Sequence, residues 1–132
     1  YKTIETNGRI GGYRLEMHEE GNNINILKYP FIEKGKKIPN IKIDNNIAIF
    51  ALYPNKNCVF YGYNESLLDE ITKLKSFFRI NKGDVKIGTR IGLTRDGFGK
   101  IGTIVLKNKS NEQFKKDLKF LNKNYFNILE IK

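Results

Sequence analysis

The chain has 132 residues, and its 24 lysines and arginines outnumber 14 aspartates and glutamates, giving a formal net charge of +10. This length suits one domain, and a single cysteine excludes internal disulfides and multi-cysteine metal sites, which fits a reducing cytoplasm. The longest apolar run, residues 47–53, is too short to cross a bilayer, so we expect no membrane partner.

The first predicted element is an alternating strand over residues 1–6 that ends at the turn-forming pair Asn7-Gly8. Every second side chain of a strand lies on the same face. Glu5, Asn7 and Arg9 therefore project together if the strand continues that far.

The side chains of Glu5, Asn7 and Arg9 suit a site for a metal ion and a phosphate. A carboxylate and an amide oxygen about 6–7 Å apart along a strand can both reach one Mg²⁺ ion, which takes oxygen ligands and commonly keeps phosphate oxygens. Arg9 adds a planar fork of donors for a phosphate or carboxylate. Gly11 and Gly12 let the backbone approach a ligand closely. An ordinary polar hairpin also fits these residues, so both interpretations stay open.

The next third of the chain predicts little regular structure. Residues 13–21 predict a short helix or an irregular turn that stops at Gly21. Prolines and a glycine interrupt residues 24–40, which predict a broken helix or a connector.

The apolar pattern then becomes regular. Strands over residues 47–53 and 58–63 predict a hairpin joined by the turn PNKN. Asn64 or Ser66 caps a predicted helix that runs to about Phe77.

Further strands and a last helix complete the chain. Strands are predicted around FFRI, VKIGTRIGL and KIGTIVLKN, and a final one at FNILEI. Ser110 and Gln113 form a capping box for the last helix. Its apolar stripe holds Phe114, Leu118 and Leu121. The resulting order, β-β-α-β-β-β-α-β, predicts an α+β fold with a small, mostly antiparallel sheet and two helices.

The lone cysteine and the aromatic clusters are interpreted as structural. Cys58 opens an apolar strand, so we expect a buried core residue rather than a nucleophile paired with His18. The aromatic stretches FYGY and FF could stack on bases, but they alternate as core residues do. We therefore interpret both stretches as packing.

The opening stretch YKTIETNGRIGGYRLEM resembles the last strand of the catalytic sheet of the ATP-grasp ligases. Their ExNxR motif is met by Glu5, Asn7 and Arg9, and the Gly11-Gly12 pair is similar to that of the branch that joins carboxylates to amines. The later strands and helices, which end in GKIGTIVLKNKSNEQFKKDL, are similar to the small C-terminal subdomain of that branch. The resemblance covers most of the chain and is specific in its first 17 residues.

The resemblance implies a role for each motif residue. Glu5 and Asn7 would ligate Mg²⁺ or Mn²⁺. Asn7 and Arg9 would contact ATP, with Arg9 catalytic at the transferred phosphate or the acyl-phosphate. ATP would phosphorylate a carboxylate, and an amine would attack the acyl-phosphate. The residues that fall in the substrate loop of this branch are Gly11, Gly12 and Arg14.

The resemblance also implies a division of the chain. Residues 1–40 would be the end of the ATP-grasp catalytic domain, and residues 41–132 the small C-terminal α+β subdomain. The nucleotide-binding lysines and the glycine-rich loop of the family lie upstream of ExNxR. We therefore expect the C-terminal portion of a cytoplasmic enzyme, inactive without its upstream part. Its partners would be small-molecule carboxylate and amine substrates and the rest of its own catalytic domain.

The net charge supports an alternative from a different class. The 19 lysines, 18 isoleucines and 16 asparagines are a combination that an AT-rich genome produces without selection for binding. Acidic residues interrupt the lysines, which argues for a solvated basic face and against nucleic acid as a partner. A non-catalytic basic α+β module that binds nucleic acid stays the alternative hypothesis.

Overall fold

The computed structural model describes residues 14–22, 44–93 and 99–132. The chain forms two compact units, Tyr1–Asn45 and Asn46–Lys132. The assignment of the two parts of the chain to a ligase catalytic domain and its subdomain stays a prediction. None of the described helices is long and apolar enough to cross a membrane.

The described part of the first unit contains helix α1, Arg14–Asn22. Of the two forms predicted for this stretch, the helix is therefore confirmed. Gly21 is buried one residue before the end of α1, and its carbonyl accepts a 2.6 Å hydrogen bond from the side-chain amide of Asn45. This bond holds the end of α1 against the last residue of the same unit.

The second unit follows the predicted order of elements, and the α+β class is confirmed. Where the structure describes this unit, two helices and six strands alternate as β-β-α-β-β-β-α-β. The elements are β1 (Asn46–Leu52), β2 (Cys58–Tyr63), α2 (Glu65–Thr72), β3 (Phe77–Lys82), β4 (Arg90–Ile91), β5 (Gly102–Asn108), α3 (Asn111–Asn124) and β6 (Leu129–Ile131), with a 3₁₀ turn at Tyr125–Asn127.

The six strands form two antiparallel sheets of three strands each, in the orders β1-β5-β3 and β4-β2-β6. The predicted hairpin between β1 and β2 is therefore wrong, because the two strands belong to different sheets. Instead, β1 pairs along its whole length with β5, from Asn46 opposite Asn108 to Leu52 opposite Gly102. Strand β1 thus pairs with a strand that is distant in the sequence and not with β2, the next strand along the chain.

Strand β5 lies in the middle of the first sheet, and its first five residues are all buried. The sequence GTIVL carries no charge, so it can accept a strand on each side and a packed layer against its face. The core draws on both sheets and both helices of the unit. Its buried members are Leu52, Phe60, Leu67, Leu68, Ile71, Ile101, Ile104, Leu106, Phe114, Leu121, Ile128 and Leu129.

Both helices of the second unit begin at predicted caps. Of the two candidates for α2, Asn64 is the cap, because its side-chain oxygen accepts a 3.1 Å hydrogen bond from the Leu67 N–H. Ser110 caps α3 in the same way and accepts a 3.3 Å hydrogen bond from the Gln113 N–H. These bonds satisfy backbone donors that have no partner within the first turn.

Helix α2 ends at Thr72 rather than near Phe77 as predicted. The physical reason lies in the turn before β3, where buried Ser76 is bonded to other elements. Its backbone N–H donates to Asp117 of α3 at 2.9 Å, and its carbonyl accepts from the Lys107 N–H of β5 at 2.7 Å. A longer α2 would take these backbone groups into the helix, so the tertiary bonds end it early.

Asp117 is a charged residue within α3, yet its exposed fraction is only 3%. Its second carboxylate oxygen accepts a 2.8 Å hydrogen bond from the Gln113 side-chain amide. Asn108 extends the network by donating to the Ser76 hydroxyl at 3.1 Å. The predicted apolar stripe of α3 does not include Asp117, because the stripe follows apolar spacing and this residue is fixed by a tertiary hydrogen bond.

Replacing Asp117 with alanine is expected to destabilise the fold by about 1–3 kcal/mol, because the buried Ser76 N–H loses its acceptor. Chemical denaturation measures the change. The matched control is Asp69→Ala, which removes an exposed carboxylate from α2 and is expected to cost no more than about 0.5 kcal/mol. Equal effects of the two substitutions would contradict a structural role for Asp117.

Two tyrosine hydroxyls connect parts of the second unit that are distant in sequence. Tyr63 of β2 donates to the Ile101 carbonyl at 2.9 Å, which joins the second sheet to the residue before β5. Tyr125 donates to the Ala51 carbonyl at 2.5 Å and accepts from the Tyr53 N–H at 3.2 Å. Burial raises the pKa of both phenols above the ordinary 10.0, and backbone hydrogen bonds offset part of that rise.

The raised pKa of Tyr125 predicts a pH dependence of stability. The folded state holds the phenol proton more tightly than the unfolded state, so this contribution is complete below pH 10.0 and is lost as the pH rises through the raised pKa. Tyr125→Phe should cost about 1 kcal/mol at pH 7. Urea unfolding above pH 10 should show the difference from wild type shrinking.

Tyr61→Phe is the control for this measurement, because it removes a hydroxyl from an exposed ring. Its free energy of unfolding at pH 7 should match that of the wild type. A difference between Tyr125→Phe and wild type that stays constant across the alkaline range would contradict the assigned role of the Tyr125 hydroxyl.

Candidate functional site

The residues predicted to bind metal, nucleotide and substrate lie almost entirely outside the described residues. Those outside are Glu5, Asn7, Arg9, Gly11 and Gly12. Arg14 is the first residue of α1. The roles of all six therefore stay predictions.

Cys58 and His18 lie in different units of the chain. Cys58 is buried, which confirms the prediction of a core position, and His18 is exposed on α1. Within residues 14–22, 44–93 and 99–132, no three His, Cys, Asp or Glu side chains form a group that could hold a metal ion. The predicted ligands Glu5 and Asn7 lie outside those ranges.

The second sheet presents a solvent-facing surface, here called the β2 outer face, formed by Val59, Tyr61, Arg90, Glu130 and Lys132. Val59 pairs with Arg90 of β4 and exchanges both backbone hydrogen bonds with Lys132, which follows β6. Directly paired residues share a face, and so do alternate residues of one strand. Tyr61 and Glu130 therefore lie on the same face as Val59 and Lys132.

Tyr61 is the exposed aromatic residue of the β2 outer face, with an exposed fraction of 44%. The pairing register of β2 and β6 shifts between Phe60 and Gly62, which places Tyr61 in a bulge. Gly62 adopts a φ of 136°, a conformation that other residues rarely take. Lys132 Nζ lies 5.0 Å from the centroid of the Tyr61 ring, within cation–π range.

Two depressions of about 400 Å³ each open beside these residues. Lys132 lines both of them. The first is lined by Asn57, Cys58, Val59, Arg90, Ile91, Gly92 and Lys132. The second is lined by Tyr61, Glu130, Ile131 and Lys132.

The charges of the β2 outer face suit the binding of an anionic group. Arg90 and Lys132 provide two cations, and Glu130 provides one carboxylate. An ammonium beside an exposed ring, with a guanidinium on the same face, can hold an anionic group next to a flat, apolar one. The face holds no histidine, and the thiol of Cys58 beneath it is buried.

A second exposed aromatic residue lies on the first sheet. The register between β3 and β5 shifts between Phe77 and Arg79, which places Phe78 in a bulge with an exposed fraction of 41%. Lys107 Nζ lies 5.0 Å from the Phe78 ring centroid, and Arg79 Cζ lies 5.9 Å from it. Each sheet thus exposes one aromatic ring beside a cation.

The exposed rings correct the interpretation of the aromatic stretches as packing. That interpretation is right for Phe60, which is buried, and wrong for Tyr61 and Phe78. Both exposed residues follow the alternation of their strands, because the preceding Phe60 lies in the core and the preceding Phe77 packs against it. The interpretation is wrong for them because it assigns neighbouring residues of a strand to the same side. Glycine within FYGY was the signal in the sequence that could have revealed the first bulge.

In comparisons with protein-family models, with curated proteins and with solved structures, none matches this chain.

Proposed function

We propose that this chain is the C-terminal part of a cytoplasmic, ATP-dependent carboxylate–amine ligase of the ATP-grasp type. The observation that carries the proposal is the ExNxR sequence of Glu5, Asn7 and Arg9, followed by the Gly11-Gly12 pair. The α+β unit that follows has the element order expected for the C-terminal subdomain of this branch, which supports the proposal.

The donor set of the motif fits a hard divalent cation. Glu5 supplies a carboxylate and Asn7 an amide oxygen, and Mg²⁺ and Mn²⁺ prefer oxygen ligands of these kinds. A cation bound there would neutralise negative charge on the transferred phosphoryl group.

The other motif residues act on the substrates in the proposed reaction. Arg9 presents a planar fork of donors, so it would hold the transferred phosphate and stabilise negative charge at the reacting centre. Gly11 and Gly12 would let the backbone lie against the substrate, and Arg14 would pair with its carboxylate. The amine substrate would then attack the acyl-phosphate, and inorganic phosphate would leave.

Glu5→Gln is expected to lower the rate of ADP release by about a hundredfold or more, because a neutral amide of the same size replaces a ligand carboxylate. The experiment uses the complete polypeptide in which this chain occurs, supplied with ATP, Mg²⁺ and a panel of carboxylates and amines. Glu70→Gln makes the same change at an exposed position of α2 and is expected to keep the full rate.

Asn7→Ala gives an independent readout, because losing one ligand should raise the Mg²⁺ concentration needed for half-maximal rate. A folded Glu5→Gln variant that releases ADP at the wild-type rate would contradict the proposal. So would a complete polypeptide that neither binds ATP nor releases ADP with any pair of substrates.

A second candidate function, binding of single-stranded nucleic acid, is favoured by the β2 outer face. Tyr61 offers an exposed ring on which a base can stack, and Arg90 and Lys132 offer cations for the phosphates. The net charge of +10 would speed the approach of a polyanion. Glu130 on the same face opposes this binding, so the cations must outweigh it.

If the second function holds, Tyr61→Ala should weaken binding of a fluorescent oligonucleotide about tenfold, since one stacked base is lost. Lys132→Gln should reduce the slope of the logarithm of the binding constant against the logarithm of the salt concentration by about 1, because one phosphate contact is lost. Phe126→Ala is the control, because it removes another exposed ring that lies outside the β2 outer face. Equal losses for Tyr61→Ala and Phe126→Ala would rule out stacking on this face.

A further inference from the structure

The outer edge of β1 presents backbone groups that the sheet does not use. In β5, the Lys107 N–H donates to the Ser76 carbonyl, on the side of β3. The N–H and C=O groups of successive residues point to opposite sides of a strand. The backbone groups of the even-numbered residues of β5 therefore point toward β1. Their paired residues in β1 are also even-numbered, so it is the even-numbered residues of β1 that bond to β5. The N–H and C=O groups of Ile47, Ile49 and Ala51 therefore point away from the sheet.

One end of this outer edge is closed by Tyr125. Its hydroxyl bonds to the Ala51 carbonyl and the Tyr53 N–H, both on the side away from β5. Within the described part of the chain, no hydrogen bond reaches the N–H or C=O of Ile47 or Ile49, or the N–H of Ala51. Among the residues that the structure describes, the edge therefore has unused backbone groups from Ile47 to the Ala51 N–H.

The other three edge strands carry the features by which sheets avoid pairing with a further strand. Strand β4 has two residues and β6 has three. Strand β3 is bulged at Phe78 and carries Arg79 and Lys82. In contrast, β1 has seven residues with no charge, proline or register shift. An open apolar edge of this length is a site for strand addition.

We propose that β1 pairs with the β1 strand of a second copy of this chain, antiparallel and centred on Ile49. A two-fold axis there places Ile49 opposite Ile49 of the partner subunit. It also places Ile47 opposite Ala51 of the partner subunit. The two Ile49 residues can exchange two backbone hydrogen bonds, because their N–H and C=O groups point outward. In each Ile47–Ala51 pair, the Ala51 N–H can donate to the Ile47 carbonyl of the other copy, while the Ala51 carbonyl already accepts from the Tyr125 hydroxyl. The first sheets of the two copies would join into one sheet of six strands.

The sequence of β1 is complementary to itself in size and charge. In this register Phe50 lies opposite Ala48 of the partner subunit, and Ile47 lies opposite Ala51 of the partner subunit. Large side chains therefore lie opposite small ones. No charge lies within Asn46–Leu52, so the pairing brings no like charges directly opposite each other even though each chain carries +10. A charged peptide would find no complementary charge on this strand, which favours a second copy as the occupant. This inference does not depend on the proposed function.

Proline at position 49 tests the pairing with little disturbance to the first sheet. Ile49→Pro removes an N–H that points outward, a place where edge strands tolerate proline. In analytical ultracentrifugation, the wild-type chain is expected to reach twice its mass of 15.3 kDa at high concentration and to dissociate on dilution. Ile49→Pro is expected to stay monomeric at every concentration.

Ile131→Pro is the matched control. Lys132 bonds to Val59 of β2, so the N–H of the preceding Ile131 points outward from β6. This variant has the same substitution at another outer edge and is expected to dimerise like the wild type.

A pair of charged variants tests the register itself and keeps the inference testable if Ile49→Pro does not fold. Ile49→Lys and Ile49→Glu each place like charges opposite each other at the two-fold axis, so each is expected to be monomeric. An equimolar mixture brings opposite charges together and is expected to form dimers. Circular dichroism checks that each variant is folded.

A wild-type chain that stays monomeric overturns the inference. So does a dimer that survives Ile49→Pro, or a mixture of folded lysine and glutamate variants that does not associate. A monomer that instead takes up an extended peptide at β1 also overturns it, because the edge then has a different occupant.

Discussion

The burial of β5 is the constraint on which the second unit depends. A strand whose first five residues are buried must satisfy its backbone donors and acceptors within the protein, and it does so through a ladder on each side. One ladder brings in β1, and the other brings in β3. The hydrogen bond from the Lys107 N–H to the Ser76 carbonyl extends the second ladder into the turn after α2. In that turn, the Asp117 carboxylate of α3 accepts a hydrogen bond from the Ser76 N–H. The position of α3 over the sheet and the early end of α2 therefore both follow from the pairing of β5.

The types and order of the elements could be predicted from the sequence because each depends on a few neighbouring residues. The caps at Asn64 and Ser110 are local bonds to the next turn, and the periods of two and 3.6 residues are local patterns. The pairing of strands is different, because it depends on residues far apart. Leu52 and Gly102 are paired although they are 50 positions apart in the sequence. Nothing in the turn PNKN indicates that β1 pairs with β5 rather than with β2.

The two candidate sites, the ExNxR motif and the β2 outer face, also differ in whether they can be predicted from the sequence. Glu5, Asn7 and Arg9 form a pattern within five residues, so a common face can be predicted for them from strand geometry alone, and this prediction lies outside the described residues. The β2 outer face could not be predicted, because Arg90 and Lys132 share a face only through the strand order β4-β2-β6. Bulges add a second difficulty, because a single extra residue reverses the face of every side chain after it.

The hydroxyl of Tyr125 also limits where a second strand can pair with β1. It occupies the Ala51 carbonyl and the Tyr53 N–H, so pairing cannot continue beyond Ala51 without displacing it. In a symmetric antiparallel pair, the open segments of both copies overlap completely only if the axis passes through their midpoint. The open segment runs from Ile47 to Ala51, and its midpoint is Ile49. The register is therefore set by one hydroxyl outside the strand as well as by the side chains of β1.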